Sequence, residues 1–316
     1  MKKRMLFTLT LLLCVLLLLP SCSDKQDSTP TPTAANTSTA TTEAPALKEA
    51  VGLEYKVNAD NKTCVITGIG KCRDTDLLIP SKIDGYEVVE IAGDAFKGNV
   101  RLTSVIIPDS VQSIGYAAFA QCKKMTAITV PFIGSDREGS KAIHFGHIFG
   151  VPAGGPTIDG IQVVPETLKT VVVTGGKTIY TYAFKECRNI TSITLPDSII
   201  NIQLHAFDGC SGLVELRLGK NLQKIGMNAF AGCRSLKELY LSDKITSIGA
   251  GAFENCRALE KVYYGGTSAQ WAALDVKPDT HAVQDSSIYF YSESEPGTSG
   301  NFWRYVNEVP TSWANP

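Results

Sequence analysis

A unit of 23 residues recurs along this chain and limits its possible folds more than any other feature. Each unit carries the dipeptide Ala-Phe, whose phenylalanines are Phe96, Phe119, Phe184, Phe207, Phe230 and Phe253. Three residues after these lie Asn99, Cys122, Cys187, Cys210, Cys233 and Cys256. Because so short a unit cannot bury its own apolar side chains, neighbouring units must stack.

The first part of each unit has the pattern of a half-buried strand. Leu236, Leu239 and Leu241 open one unit, and alternation places Leu239 and Leu241 on one face. The matching triplets elsewhere are Leu102/Val105/Ile107, Met125/Ile128/Val130, Leu168/Val171/Val173, Ile190/Ile193/Leu195, Leu213/Leu216/Leu218 and Leu259/Val262/Tyr264. Stacked in register, these strands lie side by side. The sequence therefore predicts an α/β repeat solenoid with coils of about 23 residues and a parallel sheet on one face.

The unit and its flanking segments resemble those of a known family. From Leu236 to Cys256 the unit reads Leu-x-x-Leu-x-Leu-x-x-x-Ile-x-x-Ile-Gly-x-x-Ala-Phe-x-x-Cys. With Ile79-Pro80 before the repeats and Tyr263-Tyr264-Gly265-Gly266-Thr267 after them, it resembles the BspA-like leucine-rich-repeat family of bacterial surface proteins. The resemblance runs from about Gly52 to the C-terminus and implies a right-handed solenoid. Several members of that family are implicated in adhesion, so the resemblance also implies a binding function.

The repeats divide the chain into a solenoid at 77–266 and β-rich caps at 47–76 and 267–316. The repeat spacing breaks after Phe119, which predicts one enlarged coil at 131–167 with Phe149 as its irregular phenylalanine. Insertions in repeats often carry function, so this coil is a candidate contact region.

The two caps are predicted from their turn signals. In the N-terminal cap we expect a strand pair, and Cys64 and Cys72 there are compatible either with a disulfide or with two thiols. In the C-terminal cap Ser268 is the expected N-cap of a helix, and the segments 288–291 and 302–306 predict a hairpin. The aromatic residues of this hairpin suit cap packing or a carbohydrate platform, and the sequence favours packing.

Residues 1–22 have the pattern of a lipoprotein signal peptide. A basic start, Lys2 to Arg4, precedes an apolar run that ends before Cys22. This end resembles a lipobox, which implies lipidation of Cys22; a plain secretory signal is the alternative. Residues 23–46 are rich in Ser, Thr, Pro and Ala and predict a disordered tether. The chain is therefore expected to be exported, lipid-anchored and held at the cell surface.

Composition and spacing speak against several other functions. The formal net charge of −1 does not provide a basic surface for nucleic acid. The repeat cysteines occupy one position in each coil and do not converge, so we predict a structural role for them, with no metal and no cofactor. His144 and His147 have metal-like spacing but no third ligand nearby in sequence.

The outer face of the predicted sheet supplies the candidate ligand-binding residues. In-register stacking predicts one column of Arg217, Tyr240 and Tyr263 beside a second column of Glu215, Glu238 and Lys261. Arg and Tyr are enriched in binding hot spots, and an Arg beside a Tyr ring gains a cation–π contact. Tyrosines on strands also occur as ordinary cross-strand pairs, and this reading stays open.

We therefore predict a cell-surface binding module or adhesin that recognises an extracellular protein or glycan, and not an enzyme. No residue is assigned a catalytic role. The first alternative is a polysaccharide-active enzyme or enzyme accessory with its chemistry in 131–167, where Asp136, Glu138, Asp159 and Glu166 lie. The second is a purely structural envelope protein.

Overall fold

The structure is a computed structural model that describes residues 47–139, 143–151, 164–277, 283, 287–294, 296, 300–306 and 309–313. The predicted signal peptide, Cys22 and the tether at 23–46 lie outside the described residues. From Glu49 onward the chain forms one compact unit. Among the described residues, no helix has both the length and the apolar character needed to cross a membrane.

The apolar triplets form parallel strands that stack coil upon coil. The first sheet contains β3 (Asp76–Leu78), β6 (Ser104–Ile106), β8 (Ala127–Val130), β9 (Thr170–Val173), β11 (Ser192–Thr194) and β13 (Glu215–Arg217), in this order. Its pairs are all parallel and place the repeat positions in register, so that Ile128 lies opposite Val105 and Val171. These side chains are buried, which confirms the predicted repeat solenoid.

A second sheet carries the strand stack onward. It contains β15 (Glu238–Leu241), β17 (Lys261–Tyr264), β19 (Ser287–Tyr291), β20 (Phe302–Val306) and β21 (Val309–Ser312). The first four strands run parallel, and β21 turns back antiparallel to β20. The predicted hairpin between 288–291 and 302–306 is therefore wrong. Ile288 and Phe290 align with the inward Val262 and Tyr264, so β19 adds one more coil to the sheet.

Short strands form the return side of the coils. They are β10 (Thr178–Ile179), β12 (Asn201–Ile202), β14 (Lys224–Ile225), β16 (Ser247–Ile248) and β18 (Asp275–Val276), which pair in parallel. The isoleucine that lies five residues before each repeat phenylalanine is buried here, in register with its neighbours. The α component of the expected class is slight, because the described helices are α1 (Ser268–Ala272) and a 3₁₀ helix at Phe145–Phe149.

The Ala-Phe turns build a file of stacked rings through the core. The ring centroids of Phe184, Phe207, Phe230 and Phe253 follow one another at 5.1, 4.9 and 5.1 Å, with nearly parallel planes. Offset stacking of this kind adds to the free energy gained from burial. Each phenylalanine lies between two residues with left-handed backbone, such as Asn228 and Gly232 around Phe230.

The repeat cysteines link each coil to the coil before it by hydrogen bonds to the phenylalanine carbonyls. The thiol of Cys210 donates to the Phe184 carbonyl at 3.0 Å, and that of Cys256 donates to the Phe230 carbonyl at 3.1 Å. In the same way, Cys122 donates to the Phe96 carbonyl and Cys233 to the Phe207 carbonyl, each in the preceding coil. In the first unit Asn99 accepts from the backbone of Arg101 instead, at 2.9 Å. The cysteines thus form a line along the core, as their spacing predicts.

One coil is enlarged. Strand β8 pairs directly with β9, so the described residues between them, 131–139, 143–151 and 164–169, belong to a single coil. Its 3₁₀ helix lies between the Ala-Phe turns of Phe119 and Phe184 and links them. The Phe119 amide donates to the Ile148 carbonyl, and the Phe145 amide donates to the Ala183 carbonyl. The ring that packs on Phe184 is that of Phe145, at 5.0 Å. The sequence assigned the irregular phenylalanine to Phe149, which is buried against Phe145 instead.

The caps cover both ends of the described solenoid. The cap strands β1 (Glu54–Val57) and β2 (Thr63–Gly68) form one sheet with three strands of the first coils, β4 (Lys82–Ile83), β5 (Tyr86–Ile91) and β7 (Ser113–Ile114). As expected, β1 and β2 pair antiparallel. Cys64 and Cys72 are free, buried thiols, and Cys72 contacts the Asp74 carboxylate at 3.3 Å. In the C-terminal cap Thr267, and not Ser268, is the helix N-cap, through a capping box with Gln270.

Candidate ligand-binding face

The predicted site residues lie on three neighbouring strands of the outer face. Glu215 and Arg217 on β13 are exposed, Glu238 and Tyr240 lie on β15, and Lys261 and Tyr263 lie on β17. In β15 and β17 the predicted register is correct. Tyr240 stacks on Tyr263 with ring centroids 4.6 Å apart, and Lys261 Nζ lies 3.7 Å from Glu238 Oε1.

Strand hydrogen bonds do not extend the column of tyrosines to Arg217. Strand β13 ends the first sheet, and β15 begins the second. Within the described residues, the cation–π contacts are made by Arg137, Lys185 and Arg304 instead. Arg217 and Glu215 are both exposed on β13, the strand that lies next to β15.

Tyr263 does not face solvent as the alternation predicts. Its side chain is only 4% exposed, because the C-terminal strands fold over it. Trp303 on β20 packs on the Tyr263 ring at 5.8 Å, and the Tyr263 hydroxyl lies 3.4 Å from that of Ser312. Tyr263 is therefore a buried packing residue under Trp303 and not part of the exposed surface.

Trp303 is the centre of an aromatic cluster at this end of the sheet. It is 2% exposed, and its indole N–H donates to the Tyr264 carbonyl at 2.9 Å. Three tyrosines surround it with their rings close to perpendicular to the indole: Tyr240 at 6.3 Å, Tyr291 at 5.3 Å and Tyr305 at 5.0 Å. Such edge-to-face contacts favour a fixed arrangement of the rings.

The hydroxyls of Tyr240 and Tyr305 stay protonated at neutral pH. The Tyr240 hydroxyl donates to Glu238 Oε2 at 2.7 Å. Burial raises the pKa of Tyr240 well above its ordinary value, and the bonded Glu238 carboxylate raises it further. Burial also raises the pKa of Tyr305. Tyr240 and Tyr305 are therefore neutral phenols.

A groove of about 380 Å³ opens beside the cluster. It is lined by 218–220 in the turn after β13, by 240–243 at the end of β15, and by Gly265, Tyr291, Trp303 and Tyr305. We call this feature the aromatic groove. Tyr291 is 36% exposed and Tyr305 49% exposed, so aromatic surface remains open to solvent. Pockets of this size with mostly apolar walls and a few polar groups are typical of ligand sites.

The sequence assigned Tyr291, Trp303 and Tyr305 chiefly to cap packing and did not include them in the candidate site. Trp303 does pack the cap, whereas Tyr305 reaches the groove. The sequence feature that could have indicated these residues is the alternate spacing of aromatic residues in 287–291 and 302–306. Since β20 pairs in parallel with β19, these alternate positions face the same side as Tyr240.

The enlarged coil gives less support to a chemical site. The Ser135 hydroxyl donates to the Asp136 carboxylate at 2.7 Å, and Asp159 lies outside the described residues. The rings of His144 and His147 are 6.4 Å apart, and burial lowers the pKa of His147. Within the described residues, no three His, Cys, Asp or Glu side chains are placed to hold a metal ion.

Comparison with known proteins agrees with this architecture. The fold is that of a leucine-rich-repeat solenoid. More specifically, residues 85–136 and 172–270 match six copies of the BspA type leucine rich repeat region, which confirms the repeat type that the sequence motifs predict. No curated protein matches the chain.

Solved structures of bacterial leucine-rich-repeat proteins are similar to this chain at low identity. A leucine-rich cell surface protein of Faecalibacterium prausnitzii is 19% identical over 74% of this chain and 98% of its own, with a TM-score of 0.30. A leucine-rich repeat protein of Bacteroides ovatus is 19% identical over 78% and 71%, with a TM-score of 0.34. The pneumococcal vaccine antigen PcpA is 17% identical over 72% and 78%, with a TM-score of 0.33.

Proposed function

We propose that this protein is a surface-presented binding module, or adhesin, that recognises an extracellular protein or glycan through the outer face of its solenoid. The observation that carries the proposal is the aromatic groove, where tyrosines remain partly exposed around a fixed tryptophan. Tyrosine and tryptophan provide large contact areas with few rotatable bonds, and they dominate binding hot spots.

Charged residues next to the groove extend the proposed surface. Glu215 and Arg217 are exposed on β13, and the Lys261–Glu238 pair lies along the strands that carry the tyrosines. Rim charges of both signs favour orientation and selectivity more than affinity. Ligand recognition is thus assigned to the C-terminal part of the strand face, in agreement with the residues chosen from sequence.

Presentation at the cell surface is part of the same proposal. We assign the anchor to lipidated Cys22 and the spacer to residues 23–46. In cells given an alkyne-tagged fatty acid, the wild-type chain is expected to incorporate the label and Cys22→Ser to lose it. Equal labelling of both chains would contradict the anchor.

The binding function is tested with the full chain purified in detergent and applied to arrays of matrix proteins and glycans. We expect at least one specific ligand, with weaker binding after Arg217→Ala or Tyr305→Ala. Tyr182→Ala provides a matched control, because this tyrosine is 38% exposed and lies in an Ala-Phe turn on the return side. Absence of any ligand on both arrays would refute the proposed function.

A further inference from the structure

The aromatic groove has a preformed floor and walls. Trp303 is held by its bond to the Tyr264 carbonyl and by four tyrosine rings within 6.3 Å. It therefore cannot turn outward without breaking these contacts. A ligand that enters the groove meets aromatic surface that is already ordered, so little conformational entropy is lost on binding.

Cap packing alone does not account for the outer rings. Packing explains Tyr263 and Trp303, which are almost fully buried. Tyr291 and Tyr305 lie 6.1 Å apart on the solvent side of the indole, and about a third to a half of each side chain remains exposed. Large aromatic side chains that stay open beside a concave surface are characteristic of contact sites.

The opposite side of the groove is polar and contains both signs of charge. Lys220 and Asp243 line it from successive turns, together with Ser242. The Asp243 carboxylate also contacts Lys244 Nζ at 3.1 Å, whereas none of the ion pairs between described residues includes Lys220. This side thus offers an ammonium donor and a carboxylate acceptor close to aromatic faces.

These two sides together select one ligand chemistry. Apolar C–H faces stack on tyrosine, while a ring of hydroxyls donates to Asp243 and accepts from Lys220. A polyanion would face the Asp243 carboxylate, and an aliphatic peptide side chain would offer no acceptor to the Lys220 ammonium, at a cost in free energy. Resting on the proposed binding function, we infer that the aromatic groove binds a neutral sugar unit of a glycan, with Tyr305 and Tyr291 as its stacking platform.

The test uses the full chain in detergent with maltoheptaose, cellohexaose and mannohexaose as neutral probes. Polygalacturonate serves as the acidic probe, and a proline-rich decapeptide represents an extended peptide. Binding is measured by titration calorimetry and by the intrinsic fluorescence change that a ligand beside Trp303 is expected to cause. Tyr305→Ala removes the stacking ring, Tyr305→Phe keeps the ring without its hydroxyl, and Tyr182→Ala is the control outside the groove.

We expect at least one neutral oligosaccharide to bind at millimolar concentration. Tyr305→Ala should weaken it about tenfold, which corresponds to about 1.4 kcal/mol. Tyr305→Phe should retain most of the affinity and Tyr182→Ala all of it. Circular dichroism and thermal melting show whether each variant is folded, and Asp243→Asn provides a second groove variant that keeps the aromatic rings.

Three results would overturn the inference. The first is that no neutral probe binds. The second is that Tyr305→Ala and Asp243→Asn both leave sugar binding unchanged. The third is that Tyr305→Ala abolishes binding of the peptide only. A matrix protein that still binds on the array in any of these cases would preserve the proposed function while the sugar site is rejected. Absence of every ligand would reject both.

Discussion

Replacement of Phe207 by alanine tests the ring file that holds successive coils together. Phe207 is fully buried, and its ring lies between those of Phe184 at 5.1 Å and Phe230 at 4.9 Å. Truncation of a buried phenylalanine to alanine costs about 3–5 kcal/mol, because burial is lost and a cavity remains. We expect Phe207→Ala to lower the free energy of unfolding by about 4 kcal/mol, a large part of the stability of a typical domain.

A matched variant separates ring stacking from volume. Phe207→Leu keeps a large apolar side chain but loses two aromatic contacts of about 0.5–1.5 kcal/mol each, so we expect a loss of about 1–3 kcal/mol. Urea unfolding followed by far-UV circular dichroism gives both values, with Tyr182→Ala as the surface control. A loss below about 1 kcal/mol for Phe207→Ala would be close to the effect of a surface substitution and would refute a core role of the ring file.

Three further predictions concern the thiols, the left-handed turns and the C-terminal cap. Burial raises the pKa of Cys122 to about 11 and that of Cys187 to about 12, so both should resist a thiol reagent in the native chain at pH 8 and react in urea. In the unfolded chain these thiols ionise at lower pH than in the folded chain. The contribution of their burial to the free energy of unfolding is therefore complete below pH 9 and should be lost as the pH rises through the folded pKa values. Equilibrium unfolding at several pH values checks this. Gly232 has a φ of +73° with its Cβ direction free of close contacts, so Gly232→Ala should cost about 1–2 kcal/mol through backbone strain alone, and a stability equal to wild type would contradict this. Trp303→Phe removes the bond to the Tyr264 carbonyl and should lower stability by about 1–3 kcal/mol in the same urea assay; no loss would show that the cap does not depend on it.

The repeat itself could be predicted because every coil carries the same constraints. Alternation fixes which residues of β6 to β17 face inward, and the Ala-Phe turns recur at one spacing. The register that places Ile128 opposite Val171 thus follows from sequence, even across the enlarged coil. Where the period is lost, the prediction weakens, and the sequence could not show that Phe145 continues the ring file while Phe149 packs beside it.

The candidate site was predicted only in part, because its cover comes from a distant segment. Alternation places Tyr263 on the outer face of β17 correctly, but burial of that face depends on β20, about 40 residues later. The sequence pattern of 288–306 fits a hairpin as well as two parallel strands. In the parallel arrangement Trp303 covers Tyr263, and Tyr305 extends the surface. Local sequence therefore identifies the right end of the solenoid but not the residues that line the groove.

Hydrogen–deuterium exchange with a ligand from the arrays tests most directly whether binding occurs at the C-terminal strand face. In the full chain, the ligand is expected to slow exchange in peptides that cover 218–220 and 240–243, and in the strand at 302–306. The enlarged coil at 131–139 and 143–151 should exchange as in the free chain. Protection confined to the enlarged coil would contradict the account and move the binding site to the insertion.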